Sequence, residues 1–125
     1  MLEQDRRRRA YRLAAPVLSL AHAMRSGSPV LTVAAPLMRS EAEKRKINVG
    51  LAVADREEMV YVESVRYSRR VSWRNVVAGQ RVPMELTSLG RAWLAAAPDE
   101  SRRALFERFR ARRRVGWRAL SREIS

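Results

Sequence analysis

His22 is the only histidine among 125 residues, and cysteine is absent. Any Ser–His or Cys–His pair able to activate a nucleophile would therefore have to be built on this one side chain. It lies beside the apolar helical face Val17, Leu20, Ala21 and Met24 and reads as an ordinary half-exposed histidine. The neighbouring acids, Glu41 with Glu43 and Glu57 with Glu58, point apart on regular elements, which removes a carboxylate dyad. No glycine-rich phosphate loop, EF-hand pattern or zinc spacing occurs. No metal or cofactor is expected, and an enzyme is the least supported class.

Two sets of residues still carry chemistry. Thr87 and Ser88 stand at the head of a helix, where free N–H groups and hydroxyls together favour a carboxylate or phosphate. The same hydroxyls serve equally well as plain caps. The second set is cationic: 26 basic residues face 13 acidic ones for a net charge of +13, and all but Lys44 and Lys46 of the basic residues are arginine. Such a field attracts polyanions, and the guanidinium fork suits phosphate. The clusters Arg6, Arg7, Arg8, Arg9 and Arg110 to Arg114 (Arg112, Arg113 and Arg114 foremost) fit non-specific nucleic-acid attraction. They fit a solvated basic surface without a partner just as well. Dispersed aromatics give no base-stacking platform.

The elements that must position these groups follow from the periodicities. Residues 1–10 have no apolar period and read as a disordered basic arm. A helix with the Val17, Leu20, Ala21, Met24 face follows Pro16. Ser28 and Pro29 then form a cap and a first helical position, and Val30, Val33, Ala34, Leu37, Met38 and Ala42 keep one apolar face. Pro36 predicts a kink or register shift within it. From Ile47 the period falls to two: Val49, Leu51 and Val53 form a strand, 55–58 a polar turn, and 59–65 a second strand, giving an antiparallel hairpin. Val71 to Val77 reads as a third strand that carries Trp73 and ends at Gly79. Pro83 then forces a corner before the helix through Leu86, Leu89, Trp93 and Ala96. Pro98, with Asp99 and Glu100 behind it, starts a last helix striped by Leu105, Phe106 and Phe109. The chain length suits one domain that buries roughly two-thirds of its unfolded surface. No apolar run approaches the roughly 20 residues of a membrane span, no signal peptide is legible, and a reducing cytoplasm is expected.

Gly79, Arg81, Pro83, Thr87, Gly90, Arg91, Ala92, Leu94 and Ala95 resemble the centre of the ligand-sensing domain in IclR-type bacterial transcription regulators. The turn with its following strand, Asp55, Glu58, Val60, Tyr61 and Val62, is similar to that family's hairpin. Tyr11 to Pro16 resembles its junction between a winged DNA-binding domain and a linker helix, with Ala14 for the usual glycine. Glu85 stands where the family usually has histidine, which would alter the charge near a ligand. The resemblance covers roughly Tyr11 to Trp117.

It implies an α/β (α+β) fold: an antiparallel sheet of at least three strands flanked by helices, half of a GAF-like IclR effector domain. Residues 1–27 would be a basic arm and linker helix, and 28–125 a partial effector-binding domain. The winged helix-turn-helix and the C-terminal half of the sensing domain are expected to be missing. The implied function is ligand sensing and oligomerisation, with a small organic acid or aromatic effector contacting Trp73, Val76, Thr87, Ser88 and Leu89. In an intact regulator the effector would control DNA binding. An exposed sheet edge would favour a homo-oligomer. The rival expectation is a small basic protein that binds nucleic acid non-specifically.

Overall fold

The structure, a computed structural model, describes residues 1–67 and 76–112. Its first element departs from expectation. Arg6 to Arg9 form no disordered arm but the turn of a hairpin between β1 (Leu2–Asp5) and β2 (Ala10–Leu13), with Leu2 opposite Leu13 and Asp5 opposite Ala10. The Asp5 carboxylate accepts the N–H groups of Arg7 and Arg8 at 3.1 and 3.3 Å, the local bonding by which aspartate builds a turn. Arg12 Nε donates to Glu3 across the ladder at 3.0 Å.

Both early prolines open helices, where a missing N–H removes no bond and φ is pre-set. These are α1 (Pro16–Ser26) and α2 (Pro29–Arg45). Ser28 caps α2 as expected, accepting the Leu31 N–H at 3.3 Å. The helix is one element through Pro36 and stops at Lys46, whose φ of 57° is left-handed. Its apolar face, however, divides in two. Leu31, Met38 and Ala42 are buried, whereas Val30, Val33 and Leu37 are exposed, as are Leu18, Leu20 and Met24 of α1. No side chain of α1 is buried.

The hairpin of β3 (Val49–Asp55) and β4 (Glu58–Val65) forms as the alternation predicts, turning at Arg56 with φ 57°. The third strand of the described sheet is one that the sequence reading does not include. The sheet has the antiparallel order β3-β4-β5, and β5 is Arg81–Pro83, beyond Gly79 rather than before it. Val76 and Val77 are not in a strand, and the remainder of the expected strand, with Trp73, lies outside the described residues. Gly79 takes φ 89°. Its N–H donates to the Tyr61 carbonyl at 2.7 Å, while the Tyr61 N–H donates to Gln80 at 3.0 Å. The turn thus folds the chain back onto β4, and Pro83 is tolerated because β5 is an edge strand.

Two helices follow within the described residues: α3 (Ser88–Ala96) and α4 (Asp99–Arg112). The main core lies between them and one face of the sheet. Met59, Met84, Leu94, Leu105 and Phe109 are buried there, ringed by Ala52, Ala54, Val82, Leu89, Trp93 and Phe106. The two alanines of β3 let the helices approach closely. On the opposite face, α2 packs on β3 and β4, and Val62 is buried there with the inner stripe of α2. The result is a three-layer arrangement of helices, sheet and helices, the expected α+β class.

Candidate functional site

At the corner from Pro83 to Gly90 the helix start is filled by the chain itself, and a hollow of about 410 Å³ lies instead beside Pro83 and Glu85, lined by Arg56, Glu57, Glu58 and Arg112. Thr87 Oγ1 accepts the Gly90 N–H at 3.2 Å and donates to the Pro83 carbonyl at 2.9 Å, so its hydrogen-bonding capacity serves the chain itself. Ser88, the first helical residue, is exposed, and Leu89 is half-buried against the core. Met84 is fully buried beneath the helix start, and Gly90 is so close that a Cβ there would overlap the Met84 backbone. Glu85 is only 3% exposed, with Oε1 3.5 Å from Arg112 Nη2. Arg112 also approaches Glu57 at 3.4 Å and lies over the Phe109 ring. It acts as an internal tie between α4 and the sheet hairpin.

A smaller cavity lies further along the same face. It has a volume of about 180 Å³ and is lined by Asn48, Val49, Gly50, Tyr61, Ser64, Arg66 and Val76. Gly50 provides the floor. A Cβ on it would sit 2.9 Å from the Tyr61 ring, so only glycine lets the phenol lie over the strand. Ser64 Oγ donates to the Val76 carbonyl at 2.9 Å, and the Tyr67 N–H donates to Asn48 Oδ1 at 3.0 Å. These two bonds draw the segments around 67 and 76 over the end of the sheet. An aromatic wall, a hydroxyl, an amide and a guanidinium share a space below the roughly 300 Å³ at which drug-sized sites begin. That combination suits a one-ring or short-chain acid.

Of the expected contact residues, Val76 lines this cavity. Thr87, Ser88 and Leu89 are not among its described lining, and Trp73 lies outside the described residues. Asn48, Gly50, Tyr61, Ser64 and Arg66 are not among the contact residues that sequence reasoning names, Tyr61 entering there only as part of the hairpin. The available signal is Gly50: a glycine inside a strand marks close approach of another group. Arg6 to Arg9 are exposed on the hairpin turn, whereas Arg113 and Arg114 lie outside the described residues. Arg81 bonds Asp55 at 2.7 Å and Glu58 at 3.3 Å. These hydrogen bonds, that to Asp55 foremost, raise its pKa above the ordinary arginine value. Among the described residues no group of three or more acidic, histidine or cysteine side chains is placed to hold a metal, and no helix is long and apolar enough to cross a membrane.

Residues 22–118 match the family described as bacterial transcriptional regulator IclR C-terminal. The Pca regulon regulatory protein of Pseudomonas putida is 30% identical over 95 residues, which are 76% of this chain and 33% of that protein. Among solved structures, an IclR family transcriptional regulator from Brucella abortus superposes with a TM-score of 0.79 at 34% identity, over 98% of this chain and 46% of that one. An IclR homolog from Microbacterium hydrocarbonoxydans, complexed with 4-hydroxybenzoate, gives a TM-score of 0.60 at 29% identity, over 85% of this chain and 43% of that one. The chain thus spans from a third to about half the length of these relatives.

Proposed function

The chain belongs to the IclR family of bacterial transcriptional regulators, by its match to their C-terminal domain, and from that premise we propose that it senses a small organic acid. The observation that carries this reading is the glycine-floored cavity under Tyr61, with Ser64 and Arg66 at its wall. A ring would stack beside the phenol while a carboxylate faces the Arg66 guanidinium. A relative in the same family is complexed with a ligand of this chemistry, 4-hydroxybenzoate. Val76 is the expected contact residue retained here, and Thr87 serves as a helix cap. The role is recognition rather than catalysis, with occupancy altering how domains associate and so how an attached DNA-binding domain is held. The exposed apolar residues of α1 and α2 support association between copies.

Thermal unfolding with and without 4-hydroxybenzoate tests the reading. A ligand at about 100 times its Kd adds about 2.7 kcal/mol of stability, and Gly50→Val, which fills the floor, abolishes the gain. No stabilisation by any one-ring carboxylate, or a gain unaffected by Gly50→Val, rejects it. A second reading rests on the exposed Arg6 to Arg9 turn and the net charge of +13. It requires tight binding to arbitrary duplex DNA that collapses steeply as salt rises.

A further inference from the structure

The ladder between β3 and β4 slips once. Leu51 pairs with Glu63 and Ala52 with Tyr61, which leaves Val62 as an extra residue on β4, the two-against-one count of a β-bulge. A bulge takes a carbonyl out of the ladder, and a buried carbonyl needs another donor. Here the donor comes from outside the sheet. Arg25, in the last turn of α1, donates Nη1–H to the Val62 carbonyl at 2.7 Å and Nη2–H to the Glu63 carboxylate at 2.5 Å. The other Glu63 oxygen accepts the Ser64 N–H at 3.0 Å, so the carboxylate is fixed from both sides. Glu63 is only 14% exposed and Arg25 40%, so the carboxylate end of the pair is sheltered while the guanidinium stays partly in solvent.

The residues on either side of the same step, Tyr61 and Ser64, line the cavity on the opposite face of the sheet. One irregular step therefore carries the wall of the cavity on one side and the attachment of α1 on the other. α1 buries no side chain of its own and otherwise packs only against α2 among the described elements with substantial contact, so the Arg25 bonds are its direct attachment to the sheet. A bulge is also where a strand can shift without unpairing its neighbours. We propose that the Val62 bulge, held by Arg25, is the joint through which α1 and the hairpin ahead of it respond to occupancy of the cavity. Arg25 is a positioning residue that touches no ligand. The nature of the occupant rests on the sensing reading above; the joint does not. Lysine cannot replace arginine here, because one ammonium lacks the rigid fork that spans a carbonyl and a carboxylate together.

Hydrogen exchange of the α1 amides from Leu20 to Ser26, measured on the full chain, tests the joint. Gly50→Ala presses on Tyr61 without any ligand. Ser64→Ala, which removes the bond to Val76, perturbs the other wall and serves if the first variant does not fold. Each substitution is expected to change the α1 exchange rates by about tenfold when Arg25 is present, and by no more than roughly twofold alongside Arg25→Lys. A general loss of stability would not produce that dependence, since it would add to the Arg25→Lys effect instead of vanishing with it. The probe 4-hydroxybenzoate is expected to give the same pattern. Rates that respond equally with and without Arg25→Lys, or in neither case, overturn the joint. A normal response to the substitutions without binding of 4-hydroxybenzoate or any other one-ring carboxylate overturns the sensing reading alone.

Discussion

Two glycines show how the same residue answers different demands. Gly79 has φ 89° with nothing within 4 Å of where a methyl group would stand, whereas Gly90 is pressed on the Met84 backbone. Gly79→Ala therefore meets only backbone strain, about 1 kcal/mol. Gly90→Ala must move α3 away from buried Met84 and is expected to cost about 3 kcal/mol, at the upper end of overpacking. Urea denaturation of the two variants checks the order, and equal losses would contradict it. Thr87→Ala removes a cap whose oxygen is engaged at both ends and should cost about 1 kcal/mol, while exposed Ser88→Ala should stay within about 0.5 kcal/mol. At this scale sequence leaves Thr87 and Ser88 open as alternatives, because both offer a hydroxyl. Only the geometry, Thr87 extended and Ser88 already helical, decides between them. The cavity residues are harder to read. Asn48, Gly50, Tyr61 and Ser64 sit on or beside two strands, and strand alternation says which face a residue occupies but not what closes over it.

Elements whose signal is local are legible. Ser28–Pro29 at the head of α2, the alternation of β3 and β4, and the turn between them appear where the residues require. Most of the expected strand Val71 to Val77 lies outside the described residues, and β5 is a strand that composition does not indicate: Arg81–Pro83 is three residues long and ends in a proline. Its strand character comes from pairing with Met59 and its neighbours, not from propensity. The first hairpin is hidden by charge: four consecutive arginines mask a turn that Asp5 nucleates. The periodicity of α2 indicates one apolar face, and the fold divides it into an inner and an outer stripe. Leu31→Ala, at 5% exposure, should lose about 2 to 3 kcal/mol, and Leu37→Ala, at 62% exposure, less than about 0.5 kcal/mol. Thermal unfolding of the pair distinguishes a helix docked by its inner stripe from one docked by its outer stripe.

For the whole molecule, two surfaces bear on association. The outer stripe of Val30, Val33 and Leu37 with Leu18, Leu20 and Met24 of α1 is apolar and exposed, an arrangement that marks interaction sites when contiguous. Sedimentation should show self-association of the chain that a Val33→Glu, Leu37→Glu double variant reduces at least about tenfold, a change of about 1.4 kcal/mol. A chain that is monomeric at high concentration without these substitutions contradicts this. The basic surface opposes such pairing at low ionic strength, and salt should therefore strengthen self-association while weakening any hold on DNA.

Pro83 has a consequence for what the sheet can accept. Gln80 accepts from the Tyr61 N–H of β4 and Met84 donates to Glu57 just ahead of it; both are an odd number of residues from Pro83, so the nitrogen that bears no hydrogen falls on the rim facing away from β4. That rim is short and begins with a charged residue, Arg81. The opposite rim is β3, seven residues long and free of proline, with β4 as its one neighbour among the described elements. Among the described residues the sheet thus presents an uninterrupted row of donors along Val49–Asp55, whereas Arg81–Pro83 offers a shorter row that lacks the donor at Pro83.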